Sequence, residues 1–343
     1  MVQGEVLLNY PDYVPQPWHT TLIAWAIVAF SFLFNTVVAP RLPQVQVVFF
    51  ILHLLGWFAV SVTLLILSPR TPLHETFAVF SDNAAWGSVG LAAMVTMSNS
   101  VGLFIGYESP VHLCKSIHTH AGVSLTHFAG EELEDASANM PLVITWSVLV
   151  NVVMTVVLAG IYLTAIGDLD TVLATTTAMP FIQVLLDATK SKVGTSCLAS
   201  LVIVQMISAC ISEGACASRQ IWSFARDGGL PASAFLSKVS TSSNVPVNAI
   251  MTTVFLVCAI SLINIVSSAA LNAINSLGGI SILSSYLIVV GCYIWNRLNN
   301  SKPPRGVWSR YGLVLAVSGW ALVAPVFFFL LWPLENHPDA TTM

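Results

Sequence analysis

Charged residues fall along this chain as punctuation between long apolar stretches. Asp, Glu, Lys and Arg are absent from 13–40, 42–69, 83–107, 136–167, 193–212, 239–296 and 311–334. A helix that crosses a bilayer needs roughly 20 predominantly apolar residues. Six of these intervals therefore hold one helix each, and 239–296 holds two, divided near "NIVSSAALN", Asn264 to Asn272. The pattern predicts eight spans, over about 20–38, 46–68, 86–112, 142–165, 195–221, 247–266, 270–295 and 312–332. The alternating runs of ~10 residues that build a closed barrel do not occur, so the expected class is an all-α membrane protein. Trp18, Trp86, Trp295 and Trp332 lie at predicted span ends, where amphipathic rings suit the membrane interface.

Composition agrees. Charged residues make up 8% of the chain and hydrophobic residues 56%, against about 25% charged in a soluble domain, and the mean hydropathy is +0.80. The net charge of −4 leaves no footprint for nucleic acid. Cys197, Cys210, Cys216, Cys258 and Cys292 sit in apolar stretches and read as small buried side chains, not a disulfide framework. There is no phosphate-cradling glycine loop, no HExxH and no nucleophile elbow, so neither an enzyme nor a cofactor is expected.

Lysine and arginine set the orientation. With eight spans, one side collects Arg41, Lys115, Arg219, Arg226, Lys238, Arg297, Lys302, Arg305 and Arg310, and the other only Arg70, Lys190 and Lys192. The positive-inside rule then places both termini outside. Residues 1–17 lack the basic start of a signal peptide, and an outward amino terminus without one suggests a chain that begins inside a longer architecture. The basic segment "NRLNNSKPPRGVWSR" suits contact with anionic lipid.

The third predicted span is unlike the others. "WGSVGLAAMVTMSNSVGLFIGYESPVHL" holds glycines at 87, 90, 102 and 106, the cluster Ser98–Asn99–Ser100, then Glu108 and Pro110. Such a helix either packs tightly through small residues or breaks. A break frees backbone groups that the bilayer tolerates only next to protein or water, and transporters use such a break to hold solute. A carboxylate at that depth costs ~2.5–3.5 kcal/mol on insertion scales, so Glu108 either caps a half-helix or has a function.

"SVGLFIGYES" followed by "EELEDASANMP" resembles the sixth helix of the amino acid–polyamine–organocation permeases and the loop after it. "CASRQIWSFARDGGLPASAFLSKVS", Cys216 to Ser240, is similar to the end of their eighth helix, a specific motif. "YVPQPWHTTLIAW" and "LHLLGWFAV" look like the fourth and fifth helices of the fungal branch, which includes permeases for γ-aminobutyrate (GABA), choline and other amino acids. The resemblance covers nearly the whole chain and implies a LeuT-like inverted repeat of five plus five helices, with substrate held between broken first and sixth helices. It aligns this chain with family helices four to eleven, a fragment expected not to transport alone. The resemblance further implies a multi-pass protein, most naturally of the plasma membrane, carrying a small amino acid or amine with a proton as coupling ion. Gly102, Ile105, Gly106, Tyr107 and Glu108 would contact substrate, and Glu108 would serve gating or proton coupling. A truncated relic without transport activity is the alternative.

In the family the broken helix runs almost directly into the paired glutamates, whereas here "CKSIHTHAGVSLTHFAG" intervenes. A metal reading would use His112, Cys114, His118, His120 and His127, but their spacing matches no familiar ligand frame, and no metal is expected. A natural surface insertion is a second reading. A retained intron is a third: Cys–Lys–Ser can be encoded with a GTAAGT donor and Phe–Ala–Gly with a terminal CAG. Excising Lys115–Gly130 would leave "GYESPVHLCEELEDASANMP" and restore the family spacing.

The remaining polar residues have plainer readings. Glu213 is expected to pair structurally with Arg219, with substrate binding as the alternative. Ser208, Ala209, Ser212, Gly214 and Ala215 mark close helix packing or a cavity wall. His53 reads as a satisfied interior histidine, and Asn264, Asn272, Asn275 and Ser276 as interfacial. Within Gly167–Gly194, the apolar stretch Phe181–Leu186 is too short to span and is expected to form an outer helix lying on the bundle, a candidate lid.

Overall fold

The computed structural model describes residues 1–78, 80, 87–93, 136–240, 245–299, 314, 316–321 and 323. These residues contain helices and connecting turns, with no strand among them. Six helices are long and apolar enough to cross a membrane, among the described residues. The chain divides into two compact units, residues 1–78 with 106–266 and residues 79–105 with 267–343.

In the first unit α1 covers Val2–Asn9, α2 Pro17–Val37, α3 Leu42–Leu67 and α4 Leu73–Ala78. After these come α5 at Ala136–Ala165, α6 at Leu169–Leu173, α7 at Pro180–Thr189 and α8 at Lys192–Arg226. The unit closes with α9 at Ser233–Leu236, α10 at Val247–Ser261 and α11 at Ile263–Val266. Proline opens α2, α3 and α7 near the first helical position, where its missing N–H costs nothing.

The organising element is α8. Its 35 residues extend roughly 50 Å at 1.5 Å per residue, and α1, α2, α3, α7, α9 and α10 all pack against it. Its buried positions are mostly small, among them Thr195, Ala199, Ser208, Ala215, Cys216 and Ser218. Small side chains let neighbouring backbones approach where lipid gives no hydrophobic drive between helices. The outward faces stay apolar, with Leu55, Phe58, Val62, Leu149, Val153 and Val156 all exposed, as a lipid-facing surface requires.

At one end of the unit the Ser68 hydroxyl donates to the Ala165 carbonyl (2.9 Å) and the Thr71 N–H to the Thr164 carbonyl (3.0 Å), tying α3 to α5. Trp25 Nε1 donates to Ser261 Oγ (2.8 Å) and Asn264 Nδ2 to the Pro17 carbonyl (3.2 Å), so α10 and α11 close on the start of α2. At the opposite end, α8 stops at Asp227 and Gly228 adopts φ +74°, a left-handed turn that suits glycine. The following loop folds back on α8, with Trp222 Nε1 donating to the Ser237 carbonyl (3.0 Å) and Arg226 stacked over the Trp222 ring.

The short apolar stretch is not laid on the surface. In α7, Ile182 and Leu185 are 0% exposed, and its core side chains join Val60 and Leu64 of α3, Ala165 of α5 and Val172 of α6 in one cluster. The expected lid is a wedge instead, because an amphipathic ten-residue helix too short to span buries its apolar face between the ends of longer ones. The seam between α1 and the start of α7 is tight as well: a side chain at Gly4 of α1 would meet Met179 Cγ at 2.8 Å and Ile182 Cδ1 at 2.9 Å. Ser200 Oγ donates to Glu5 (2.6 Å) and Asn9 Nδ2 to Ser196 (2.9 Å), fastening α1 along α8.

The second unit contains α12, Ser268–Asn299, a 32-residue helix, and helical residues at 89–93 and 316–321. Within it a side chain added at Gly291 would lie 3.8 Å from Trp320 Nε1. The predicted spans 86–112 and 312–332 fall largely outside the described residues.

Candidate functional site

Three helices of the first unit each turn one stripe to a common groove. From α3 come Gln46, Phe49, Phe50 and His53, from α5 Trp146, Ser147, Val150, Asn151 and Met154, and from α8 Gln205, Ser208, Ala209, Ser212 and Cys216. The spacings of three, four and seven are those of one helical face. The groove has a volume of about 810 Å³.

Four of its polar side chains bond to backbone. Ser208 Oγ donates to the Gln205 carbonyl (2.8 Å) and Ser212 Oγ to the Ser208 carbonyl (3.2 Å). Asn151 Nδ2 donates to the Ser147 carbonyl (2.8 Å) and Gln205 Nε2 to the Phe49 carbonyl (3.4 Å). These four groups each spend a donor on backbone and keep oxygen lone pairs that a solute can use, and the His53 ring beside them can donate or accept. Phe49, Phe50 and Trp146 add aromatic faces. Acceptors beside aromatic faces suit a solute that is cationic or rich in N–H groups.

His53 differs from its sequence reading. Its side chain is exposed on the groove and makes no hydrogen bond among the described residues, because the α3 face it occupies meets open space between α5 and α8. Glu213 differs too. No ion pair joins it to Arg219, which has a partner elsewhere. Six positions along a helix turn two side chains about 240° apart, so the expected pair faces different neighbours. Glu213 instead lines a separate cavity of about 270 Å³ between α2, α8 and α10.

Of the small residues on α8, Ser208, Ala209 and Ser212 line the groove, Gly214 lines the second cavity and Ala215 is buried; packing and cavity wall are both realised. Gly102, Ile105, Gly106, Tyr107 and Glu108 lie outside the described residues, as do His112, Cys114, His118, His120, His127 and the Lys115–Gly130 segment. Among the described residues no group of His, Cys, Asp and Glu gathers as a metal site. Ser147, Asn151 and Gln205 were not singled out from sequence, although a Ser–Asn pair four residues apart in an apolar span is a readable signal.

Long apolar helices with an apolar outward surface define an integral membrane protein. Comparison with known proteins makes the class specific. The amino acid permease family model matches residues 2–343, and the chain belongs to that family. It is 26% identical to a choline transporter of Saccharomyces cerevisiae, over 95% of this chain and 56% of the transporter. An uncharacterized amino-acid permease of Schizosaccharomyces pombe is 25% identical over 100% of this chain and 58% of its own length. A thiamine transporter of the same yeast is 27% identical over 61% of this chain and 33% of its own length. The chain thus spans little more than half the length of the choline transporter and that permease. These relatives are permeases and transporters, not enzymes, and the chain is an integral multi-pass membrane protein.

Proposed function

We propose that this chain forms part of a secondary transporter that carries a small amino acid or amine, GABA and choline being the model solutes, across the plasma membrane by alternating access. The observation that supports this reading is the α3–α5–α8 groove, where hydroxyl and amide oxygens beside Phe49, Phe50 and Trp146 can accept from and stack on the ammonium group of a small amine or amino acid. The similarity to a choline transporter supports it. In this reading Gly102, Ile105, Gly106, Tyr107 and Glu108 contact substrate. Glu108 carries the proton or gates the path, and the basic segment 296–310 holds anionic lipid. Lys115–Gly130 is the product of a retained intron, and spliced transcripts that keep its coding segment contradict that part.

The test is uptake by cells that carry the gene at its own locus. Deleting it lowers accumulation of radiolabelled choline, GABA or another amine. Restoring the gene recovers that accumulation, a protonophore abolishes it, and a Glu108→Gln gene does not restore it. Unchanged uptake of every amine tried after deletion contradicts the assignment, and full proton-driven uptake with Glu108→Gln contradicts the role of Glu108.

A further inference from the structure

We infer that His19 is an acid-sensitive clasp. Its neutral ring pins the turn before α2 and, through that turn, the helix α1; a proton on the ring releases both. His19 is the third residue of α2. Its Nδ1 stands 2.6 Å from Tyr13 Oη and accepts from the Gln16 backbone N–H at 3.3 Å. A backbone N–H can only donate, so Nδ1 is the accepting nitrogen and the ring proton sits on Nε2. The ring also stacks on Tyr13, with centroids 5.4 Å apart.

Gln3 carries this arrangement into α1. Its Nε2 donates to Tyr13 Oη (3.5 Å) and to the Gln16 carbonyl (3.4 Å), and its Oε1 accepts from Thr20 Oγ1 (3.1 Å). All three partners lie in the short segment that His19 holds in place. Beyond Gln3, α1 rests on α8 through Glu5 and Asn9 and on α7 through Gly4. The clasp therefore joins the start of α2 to the seam between α7 and α8.

A proton changes the node in two ways. Nδ1 gains a hydrogen that faces the Gln16 N–H, and two donors cannot bond to each other. The Tyr13 hydroxyl can turn round and accept, but the backbone amide cannot. The added charge also lies in the first turn of α2, where the helix dipole disfavours a cation. The elements bonded to the start of α2 offer little to offset this. α1 carries the Met1 amine and Glu5, which accepts from Ser200, and the turn carries Tyr10, Asp12 and Tyr13. α10 and α11 have no charged side chain, and the first half of α8 has only Lys192. Of these groups only Tyr13 bonds to His19 among the described residues, and no carboxylate pairs with it there. The contact belongs to the neutral form, so it is present at high pH and lost as pH falls through the imidazole titration.

Hydrogen exchange of the purified 343-residue chain in detergent reads the clasp at residues 2–9, once the intrinsic pH dependence of amide exchange is divided out. Between about pH 7.5 and about pH 5, an interval that brackets ordinary imidazole titration, protection of residues 2–9 is expected to fall about fivefold or more, the weight of one hydrogen bond. Residues 200–210 of α8 should keep theirs. His19→Asn sets a non-titrating amide oxygen near the place of Nδ1 and should hold the protection at both pH values. His19→Ala removes the acceptor and should lose it at both. Constant protection of residues 2–9 in the parent overturns the clasp. So does an acid loss in His19→Asn as large as the parent's, which would put the titrating group elsewhere, or full protection of His19→Ala at about pH 7.5.

Discussion

Replacing Leu185 by alanine tests whether α7 is a wedge between the long helices or a lid resting on them. Leu185 is 0% exposed and belongs to the cluster that joins α3, α5 and α6 with α7. The substitution removes three carbon atoms, about 2.4 kcal/mol at ~0.8 kcal/mol per buried methylene. A residual void of about 50 Å³ adds about 1 kcal/mol at ~24 cal/mol per Å³. The sum, about 3–4 kcal/mol, falls inside the range of ~2–5 measured for buried Leu→Ala changes. Leu173 of α6 is 62% exposed, so Leu173→Ala should shift stability by no more than about 0.5 kcal/mol. Thermal unfolding of purified protein in detergent, followed by circular dichroism, separates the two. Leu185→Ala should lower the midpoint by ~5 °C or more, with Leu173→Ala unchanged. Coincident midpoints for Leu185→Ala and the parent would refute the wedge and return α7 to a surface position.

Three further outcomes follow from particular contacts. Gly4→Leu pushes atoms into Met179 and Ile182, so hydrogen exchange across residues 2–9 should lose its protection while that of α8 is kept. Trp57→Phe removes the bond from Nε1 to the Met154 carbonyl (3.1 Å) between α3 and α5 and should cost about 0.5–1.5 kcal/mol in the same unfolding assay. The Thr171 hydroxyl donates to Asp168 and holds that exposed carboxyl below its ordinary pKa. A lowered folded-state pKa means that the contribution is complete above about pH 4 and is lost as pH falls through the folded value. Thr171→Val should move the Asp168 titration upward, as read by carboxyl-carbon NMR.

The positions of charge made the class legible. A run such as 42–69 without one formal charge is incompatible with a soluble fold, and α3 occupies it. Local chemistry also marked the end of α8, where "ARDGGLP" supplies the left-handed glycine at Gly228. Packing between elements was not legible. Asn151, His53 and Gln205 lie on three helices far apart in sequence, and only their assembly makes one groove. His53 alone in an apolar run looked like a core residue, because single-chain periodicity cannot say whether the facing side is protein or open space. The Glu213–Arg219 pairing failed on arithmetic available from the start, since residues six apart share no helix face.

The central claim is that the α3–α5–α8 groove forms a wall of an aqueous path for an amine. Cysteine placed at Asn151, on the groove, and at Leu149, 50% exposed on the opposite side of α5, tests it most directly. In intact cells a membrane-impermeant thiol reagent should modify Asn151→Cys and inhibit amine uptake, an excess of the transported amine should slow that reaction, and Leu149→Cys should stay unmodified. An Asn151→Cys protein that resists the reagent, or reacts at a rate indifferent to the amine, contradicts the account.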